Sequence, residues 1–513
     1  MKSILKSQLL FILIMFCLSA CSSQQERIDG APESGPATEV PPAASTIRAQ
    51  EEADSTGVSE NDVAISPSTG NAAQIAVDAA KQYAGTTLRI NYEAGLQALD
   101  GYFFGEEWKR LTGIEVEVVE HGFEEIHDQT LASATELDVI NLVPAWEGDF
   151  VAAGILEPLD DYMAQYYPPE ELAGLHPTYR ENWLVGDQTY GFPDDGDIHI
   201  LYYRRDLFED GENQAKFQDQ YGYALNPPET WQQWNDICAF FTEEYAPELY
   251  GCGLQHTGHA YYWFQSIFRS QKGQFFDPET MKAQINGPSG VQTAEIILSS
   301  LAHEPPGAKD WDFSDNFGAW LEGKLAMTIS WPPIGRWSEG YGSQAEQLDW
   351  LPETQVAGKV GYAPQPGGGE LAIGFKLGVS AHSANKEAAY LFLQWLTSEQ
   401  ISLQRTMTPF TLRDPYRISH YESILYRSQW KHAPEYLDTL YQGAESGYLD
   451  LMIPGAHEYE EAEQRALVQL LAGADIQQTL DDLAAEWDAI TERYGVETQQ
   501  DAYLKWLNLP NAQ

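Results

Sequence analysis

Short runs of alternating apolar and polar residues begin near residue 87 and are separated by stretches with helical spacing. Residues 87–92, 114–119 and 137–142 predict strands. Residues 95–112 and 124–134 predict helices, and Gly113 is expected to end the first of them. The apolar face predicted for that first helix consists of Leu96, Leu99, Phe103, Trp108 and Leu111. Strands that alternate with helices predict an α/β fold with a parallel sheet covered on both faces.

The same patterns continue to the end of the chain. Thr230 is a candidate N-cap, because it precedes an apolar helical run that buries Phe240 and Phe241. Residues 256–263 predict a loop dense in aromatic side chains. The other predicted strands are 198–203, 250–254, 326–330, 358–362 and 377–380, and the other predicted helices are 317–325, 385–397, 461–471 and 476–493.

Three aspartates precede the strand predicted at 198–203. Asp194, Asp195 and Asp197 surround Gly196 in a turn that follows Pro193. Carboxylates at the start of a strand face water, another domain or a ligand. A solvated turn before a buried strand is the alternative interpretation.

The first 80 residues differ from the rest in composition. Residues 1–20 combine Lys2 and Lys6 with a short apolar run at 9–18, which is typical of a secretory signal. The ending LSAC resembles a bacterial lipobox and implies lipid on Cys21; a plain secretory signal is the alternative. Residues 21–80 are rich in Ala, Ser, Pro and Glu and predict a disordered tether. We therefore expect an exported, lipid-anchored protein of the cell envelope, periplasmic or on the outer face of the cytoplasmic membrane.

Charge and cysteine content narrow the classes of partner. The formal net charge of −48 argues against nucleic acids and anionic membrane surfaces as partners. Besides Cys17 and Cys21, the chain contains Cys238 and Cys252. An even pair in an oxidising compartment predicts a local disulfide, with two buried free thiols as the alternative.

Enzyme signatures are absent from the sequence. It contains no GxSxG, HExxH or GxxxxGK[ST] motif. His256 and His259 lack a third metal ligand. Asp194, Asp195 and Asp197 would suit a glycosidase only at a separation that the sequence does not specify. We predict no catalytic residue, no metal site and no cofactor.

Aromatic residues are concentrated where predicted strands end. Sugar rings present an apolar face that stacks on aromatic rings and a rim of hydroxyls that binds carboxylates, amides and arginine. Asp197, Glu147, His256 and Arg336 lie next to these aromatic residues and could bind the rim. The aromatic residues in question are Tyr92, Trp146, Tyr261, Tyr262, Trp263, Trp331 and Trp337.

Motifs in a fixed order give a family resemblance. From about residue 87 to 494 the chain resembles the extracellular solute-binding proteins of ABC-type sugar importers, the group that includes maltose-binding protein. The motifs are TGIEVEV at 112–118, LDVI at 137–140, GILEPLD at 154–160, YGFP at 190–193, LYYRRDLF at 201–208, PPETW at 227–231, FGAWLEGKLAM at 317–327 and SANKEAA at 383–389.

The resemblance implies two α/β lobes with a ligand cleft between them and a hinge of crossing strands. Lobe 1 would comprise 86–195 and 365–410, and lobe 2 would comprise 198–362 and 414–500. The crossings would lie near 194–198, 363–369 and 409–413. Closure of the lobes over a ligand would create the shape that a permease recognises.

The resemblance also suggests site residues. Asp197 falls where the relative has a carboxylate that binds its sugar, and Tyr459 overlies a stacking segment. Leu142, Ala145 and Trp146 replace a tryptophan, an aspartate and an arginine, so maltose specificity is not implied. The full predicted set is Asp197, Asp195, Trp146, Glu147, Tyr92, His256, Tyr261, Tyr262, Trp263, Trp331, Arg336 and Tyr459.

Together these features predict a monomeric, non-catalytic receptor that delivers a sugar or a sugar-like polyol to the permease of an ABC importer. Its only contact with the membrane, apart from the permease, would be the lipid. An exported carbohydrate-active enzyme is one alternative, and a binding protein that has become a sensor is another.

Overall fold

The computed structural model describes residues 71–181, 184–185 and 188–509. The predicted signal at 1–20, the lipidation site Cys21 and the tether up to residue 70 lie outside the described residues. Within the described residues, no helix combines the length and the apolar character needed to cross a membrane.

The strands, numbered in chain order, are β1 Thr87–Glu93, β2 Glu115–His121, β3 Val139–Leu142, β4 Leu184–Val185, β5 Gln188–Thr189, β6 Gly191–Pro193, β7 Ile200–Arg204, β8 Tyr250–Gly253, β9 Leu325–Ser330, β10 Val360–Ala363, β11 Leu371–Ala372, β12 Lys376–Val379 and β13 Tyr448–Leu449.

The helices up to the second lobe's last strand are Ala72–Ala80, Leu96–Thr112, Phe123–Ser133, Glu147–Ala152, Asp160–Tyr166, Pro169–Ala173, Pro177–Glu181, Arg205–Phe208, Gly211–Tyr221, Trp231–Tyr245, Tyr261–Ser270, Pro288–Leu301, Phe313–Leu321 and Pro333–Ser338. Those that follow are Lys386–Thr397, Glu399–Met407, Ile418–Glu422, Ile424–Arg427, Ala433–Ser446, Ala456–Leu471, Ile476–Tyr494 and Val496–Leu507.

Two sheets organise the fold, and each is the centre of one lobe. In lobe 1 the strand order is β2-β1-β3-β12-β6, and in lobe 2 it is β10-β7-β9-β8. Val139 and Ile140 belong to cores on opposite faces of the first sheet, as alternation along a strand requires. The two-lobe α/β architecture is confirmed, while the boundaries given for the lobes stay predictions.

The prediction of a parallel sheet is wrong for part of each lobe. In lobe 1, β1 is parallel to β2 and β3, but β12 is antiparallel to β3 and β6. In lobe 2, β8 and β9 are parallel, while β7 is antiparallel to β9 and β10. The reason is topological, because β12 and β7 enter their sheets from the crossings and run against the strands that end there.

The chain passes between the two sheets where the sequence predicts crossings. β6 in lobe 1 is followed by β7 in lobe 2, so the first passage covers 194–199. β10 in lobe 2 is followed by β12 in lobe 1, with β11 between them. The third passage follows the helix Glu399–Met407 and leads to Ala433–Ser446, which packs on β10.

The folded body begins earlier than predicted. The helix Ala72–Ala80 buries Ala76 and Ala80 and packs against the helix Lys386–Thr397. Asn71 caps it, and the side-chain amide of Gln394 donates to the carbonyl of Ala72 over 3.0 Å. The prediction of a tether up to residue 80 is therefore wrong from 72 onward, because alanine both forms helices well and packs closely.

The helix Leu96–Thr112 faces the sheet with a different side than predicted. Phe103 is 57% exposed, whereas Phe104 is 4% exposed. Gly101 and Gly105 lie against the sheet, where a Cβ on Gly101 would be 2.5 Å from the ring of Tyr92. Small residues let this helix approach the strands closely, and only Trp108 of the predicted face is buried.

Two other predicted elements are shifted. The stretch predicted as the loop 256–263 becomes helical at Tyr261, and the helix predicted at 317–325 lies at Phe313–Leu321. Thr230 caps its helix with a capping box that includes Gln233. Cys238 and Cys252 are joined by a disulfide, with Cα atoms 5.2 Å apart, which links the helix Trp231–Tyr245 to β8.

Candidate functional site

A cavity of about 300 Å³ lies between the lobes. It is located beyond the carboxyl ends of β1 and β3, where Glu93 and Val143 line it, and beyond the end of β9, where Trp331 lines it. Strands that end at a common edge leave a crevice there, which is the usual ligand position in α/β sheets. The sequence predicted this location from the strand ends at 91–93 and 142–147.

Aromatic rings from both lobes form much of the cavity wall. Phe123 and Phe375 belong to lobe 1, and the remaining rings come from lobe 2. Apolar walls with a few polar groups are typical of sites for small molecules. The aromatic lining residues are Phe123, Tyr262, Phe313, Trp331, Trp350 and Phe375, and the polar ones are Glu93, Gln97, Asp197, His259 and Ser314.

Asp197 lines the cavity from the first crossing. Burial and the neighbouring carboxylates of Asp195 and Asp414 raise the pKa of Asp197 well above its ordinary value. The three carboxylates approach within 4.8 Å of one another. Burial and the charge of Asp414 likewise raise the pKa of Asp195 to about 7.

Arginines at the crossings neutralise part of this charge. Arg413 Nε lies 3.1 Å from Asp194 Oδ2, and its Nη1 lies 3.6 Å from Asp195 Oδ2. Arg405 Nη1 lies 2.6 Å from Asp194 Oδ1, and its Nη2 lies 2.5 Å from Asp100 Oδ2. The network therefore ties the first crossing to the third.

Glu93 and Gln97 connect the cavity with that network. The side chain of Gln97 accepts a hydrogen bond from Arg413. Burial raises the pKa of Glu93 to about 7, against the opposing effect of Arg413. Glu93 and Gln97 thus lie between the cavity and the charged network of the hinge.

Two histidines near the cavity are held neutral. The ring of His259 lies 4.6 Å from that of Phe123 and 5.8 Å from that of Trp331, and burial lowers the pKa of His259 to about 4. His199 lies 4.3 Å from Trp263 and 4.2 Å from Trp331, and burial lowers its pKa to about 3. Neither ring supplies a positive charge at neutral pH.

Three of the predicted site residues line the cavity together: Asp197, Tyr262 and Trp331. The rings of Tyr262 and Trp331 are perpendicular, with centroids 5.9 Å apart. Asp195 lies behind Asp197 and accepts from the backbone N–H of Asp414 over 2.6 Å. Asp195 thus belongs to the hinge rather than to the cavity wall.

The residues chosen from the ends of β1 and β3 do not line the cavity. Tyr92 is buried, and the Cζ atom of Arg413 lies 5.7 Å from the centroid of the Tyr92 ring. Trp146 donates from Nε1 to Glu460 over 3.1 Å, and Glu147 pairs with Lys376. Tyr92 is buried from β1, and the helical turn that begins at Pro144 buries Trp146 and Glu147, so these residues pack behind the cavity instead of forming the predicted ligand rim.

The aromatic segment after β8 is mostly part of the lobe 2 core. His256 pairs with buried Glu304, with Nε2 and Oε2 2.8 Å apart. Trp263 donates to the carbonyl of Ile329 over 2.9 Å, and Tyr261 packs 4.4 Å from Tyr262. Of the predicted site residues in this segment, only Tyr262 lines the cavity.

Arg336 and Tyr459 have structural partners instead of a place in the cavity. Arg336 donates to the carbonyls of Thr411, over 2.8 Å, and Thr406, over 3.2 Å, and it lies 3.1 Å from the carboxylate of Asp414. It therefore clamps the third crossing to lobe 2. The hydroxyl of Tyr459 lies 2.9 Å from that of Thr491 in the lobe 2 core.

Several lining residues are absent from the predicted site. Glu93 belongs to the predicted strand end 91–93, but the prediction selects its neighbour Tyr92. His259 enters the prediction only through its spacing from His256, as half of an incomplete metal-binding pair. Phe313 and Trp350 come from stretches with no strand-end signal, and only the tertiary fold places them at the cavity.

The family model described as bacterial extracellular solute-binding protein matches residues 54–401. A probable amino-acid ABC transporter periplasmic-binding protein of Sinorhizobium fredii is 24% identical over 63% of this chain and 71% of its own length. The maltotriose-binding protein of Pyrococcus abyssi is 24% identical over 49% of each chain.

Solved structures share the fold. A solute-binding protein of Agrobacterium radiobacter K84 in complex with ribitol has a TM-score of 0.66 at 21% identity, over 79% of this chain and 99% of its own. Maltose-bound MalE3 of T. maritima has a TM-score of 0.64 at 21% identity, over 79% of this chain and 100% of its own. At this level of identity, the likeness concerns the two-lobe architecture.

Proposed function

The chain belongs to the family of bacterial extracellular solute-binding proteins, and from this premise we propose that it captures a sugar or polyol in the interlobe cavity and delivers it to the permease of an ABC importer. The observation that carries the proposal is the composition of the cavity. Trp331, Tyr262 and Trp350 offer aromatic surface, and Asp197 and Gln97 offer groups that bind hydroxyls.

The relatives support this class of ligand without naming the ligand. The structures similar in fold contain ribitol and maltose, and one relative is a maltotriose-binding protein. Another relative bears an amino-acid transporter name, so amino acids belong in the test as a competing class.

The experiment is calorimetry of the purified protein with a panel of monosaccharides, oligosaccharides, sugar alcohols and amino acids. We expect 1:1 binding of a sugar or polyol, which is recovered unchanged afterwards. Trp331→Phe should weaken that binding, whereas Phe103→Ala, on the exposed face of lobe 1, should not. Binding of amino acids alone would refute the proposal, and conversion of the ligand would favour the carbohydrate-active enzyme.

The anchoring, the monomeric state and the permease partner complete the proposal. Residues 1–20 would direct export, and Cys21 would carry the lipid. Metabolic labelling with a radioactive fatty acid should mark the wild-type chain and leave Cys21→Ser unlabelled. Light scattering should give the mass of one chain.

A further inference from the structure

The polar lining of the cavity is acidic and has no matching base. Glu93 and Asp197 both line it, and its described lining contains no lysine or arginine. His259 adds no charge, because burial lowers its pKa to about 4. Among the described residues, no cationic side chain lies within 4 Å of either carboxylate.

The arginines nearest to the cavity are already paired. Arg336, Arg405 and Arg413 form ion pairs with Asp414, Asp100 and Asp194, and Asp195 adds a fourth buried carboxylate to the same network. Four carboxylates thus face three guanidiniums before Glu93 and Asp197 are counted. Arg413 acts on both Glu93 and Asp197 from the hinge, but burial outweighs its effect and the pKa of both groups is raised.

From this imbalance we infer that the ligand itself carries a positive charge and is an amino sugar or an amino polyol with a protonated amine. The inference rests on the proposed function and specifies its substrate class. Closure over a neutral solute would leave both groups buried without a countercharge, so they could remain there only by taking up protons. An ammonium group would supply that charge between Glu93 and Asp197.

The aromatic wall suits such a ligand as well. Ammonium groups bind to the faces of tryptophan, tyrosine and phenylalanine, and Trp331, Tyr262 and Phe123 lie around the cavity. The hydroxyl-bearing remainder of the ligand would contact Gln97 and Ser314. The formal charge of −48 would also attract a cation to the protein and repel an anion.

Without a cation in the cavity, the raised pKa values of Glu93 and Asp197 favour their neutral, protonated forms. Burial raises the pKa of Glu93 to about 7, and it raises the pKa of Asp197 well above its ordinary value. A bound ammonium would favour the ionised form of both groups.

Calorimetry with matched pairs at pH 7 tests the inference. The pairs are glucosamine with glucose, galactosamine with galactose, mannosamine with mannose, and 1-amino-1-deoxysorbitol with sorbitol. We expect at least one amine to bind ten-fold or more tightly than its neutral parent. If the neutral parents bind equally well or better, the inference falls and the proposed function stands. If no member of the pairs binds, the inference falls, and the wider panel of sugars, polyols and amino acids decides the proposed function.

Two isosteric variants locate the effect. Glu93→Gln and Asp197→Asn should each reduce the preference for the amine over its neutral parent at least five-fold. Glu125→Gln, an exposed change on the helix Phe123–Ser133, should keep the full preference. A preference that survives both Glu93→Gln and Asp197→Asn would overturn the assignment, and Glu93→Gln alone decides if Asp197→Asn does not fold.

Discussion

The ammonium nitrogen of Lys376 lies 2.6 Å from Oε2 of Glu147, and both side chains are buried in lobe 1. The pair joins β12 to the segment after β3. Glu147→Gln should therefore destabilise the protein by about 3–5 kcal/mol, because it breaks a buried ion pair. Urea denaturation measures the change. Glu157→Gln, which removes the more exposed pair with Lys386, is the control and should cost about 0–1 kcal/mol.

Gly196 marks the closest approach between the first and third crossings. A Cβ at this position would lie 2.0 Å from the carbonyl oxygen of Pro415. We expect Gly196→Ala to lower the free energy of unfolding by about 2–4 kcal/mol, because the backbone must move to accommodate a methyl group. Gly318→Ala is the matched control. It has open space in its helix, so it should be neutral or slightly stabilising; equal behaviour of the two variants would contradict the prediction.

Trp350 allows the cavity to be tested without disturbing the core. Its side chain lines the cavity and is 44% exposed. Trp350→Ala should weaken ligand binding by about 0.5–1.5 kcal/mol, the usual value of an aromatic contact, and leave the melting temperature within about 2 °C. Calorimetry and thermal unfolding of the same sample give both quantities. Unchanged affinity would remove Trp350 from the site.

The disulfide between Cys238 and Cys252 should contribute substantially to stability. The two residues are 14 positions apart. Closing a loop of this length lowers the conformational entropy of the unfolded chain and thereby stabilises the folded state by about 3 kcal/mol. We expect the double variant Cys238→Ala/Cys252→Ala to lose about 2–4 kcal/mol in urea denaturation. A reducing agent should weaken the wild-type protein and leave the variant unaffected. A reductant effect on the variant would show that another cause operates.

Glu93 should make the stability of the ligand-free protein depend on pH. Its pKa rises from an ordinary 4.5 to about 7 on folding. The folded state therefore holds this proton more tightly, and the resulting stabilisation is complete below about pH 4.5 and lost as pH rises through 7. Glu93→Gln keeps a neutral group throughout. Between pH 5 and pH 8, the free energy of unfolding of Glu93→Gln should therefore rise by about 1–3 kcal/mol relative to that of the wild type.

Urea denaturation at several pH values measures that difference. Glu125→Gln provides a surface control on a neighbouring element. A difference between wild type and Glu93→Gln that stays constant from pH 5 to pH 8 would mean that Glu93 does not bind a proton more tightly in the folded protein.

Much of the fold follows from local sequence signals. Alternating residues identify β2, and the N-cap Thr230 places the start of its helix correctly. The helix Leu96–Thr112 shows where such signals fail. Phe103 and Phe104 are equally apolar, and the decision between them depends on Gly101 and Gly105, which bring the helix against the sheet.

The site was predictable in location but only in part by residue. Strand ends predict the edge at which Glu93 and Val143 lie, but a shift of one position exchanges Tyr92 for Glu93. Arg336 was misassigned because the aromatic residues around it do not reveal which side of the helix Pro333–Ser338 it occupies. Its guanidinium donates to carbonyls at and before the third crossing. These carbonyls are far from Arg336 in sequence, so local sequence patterns cannot predict the contact.

The helix Ala72–Ala80 has a mechanical consequence. It packs against the helix Lys386–Thr397 and so belongs to lobe 1. Any attachment through the residues that precede Ala72 would hold lobe 1 as the fixed frame. Lobe 2 would then be the lobe that rotates about the hinge when a solute binds. This rotation would move Trp331, Tyr262 and Trp350 towards Glu93, which would stay in place.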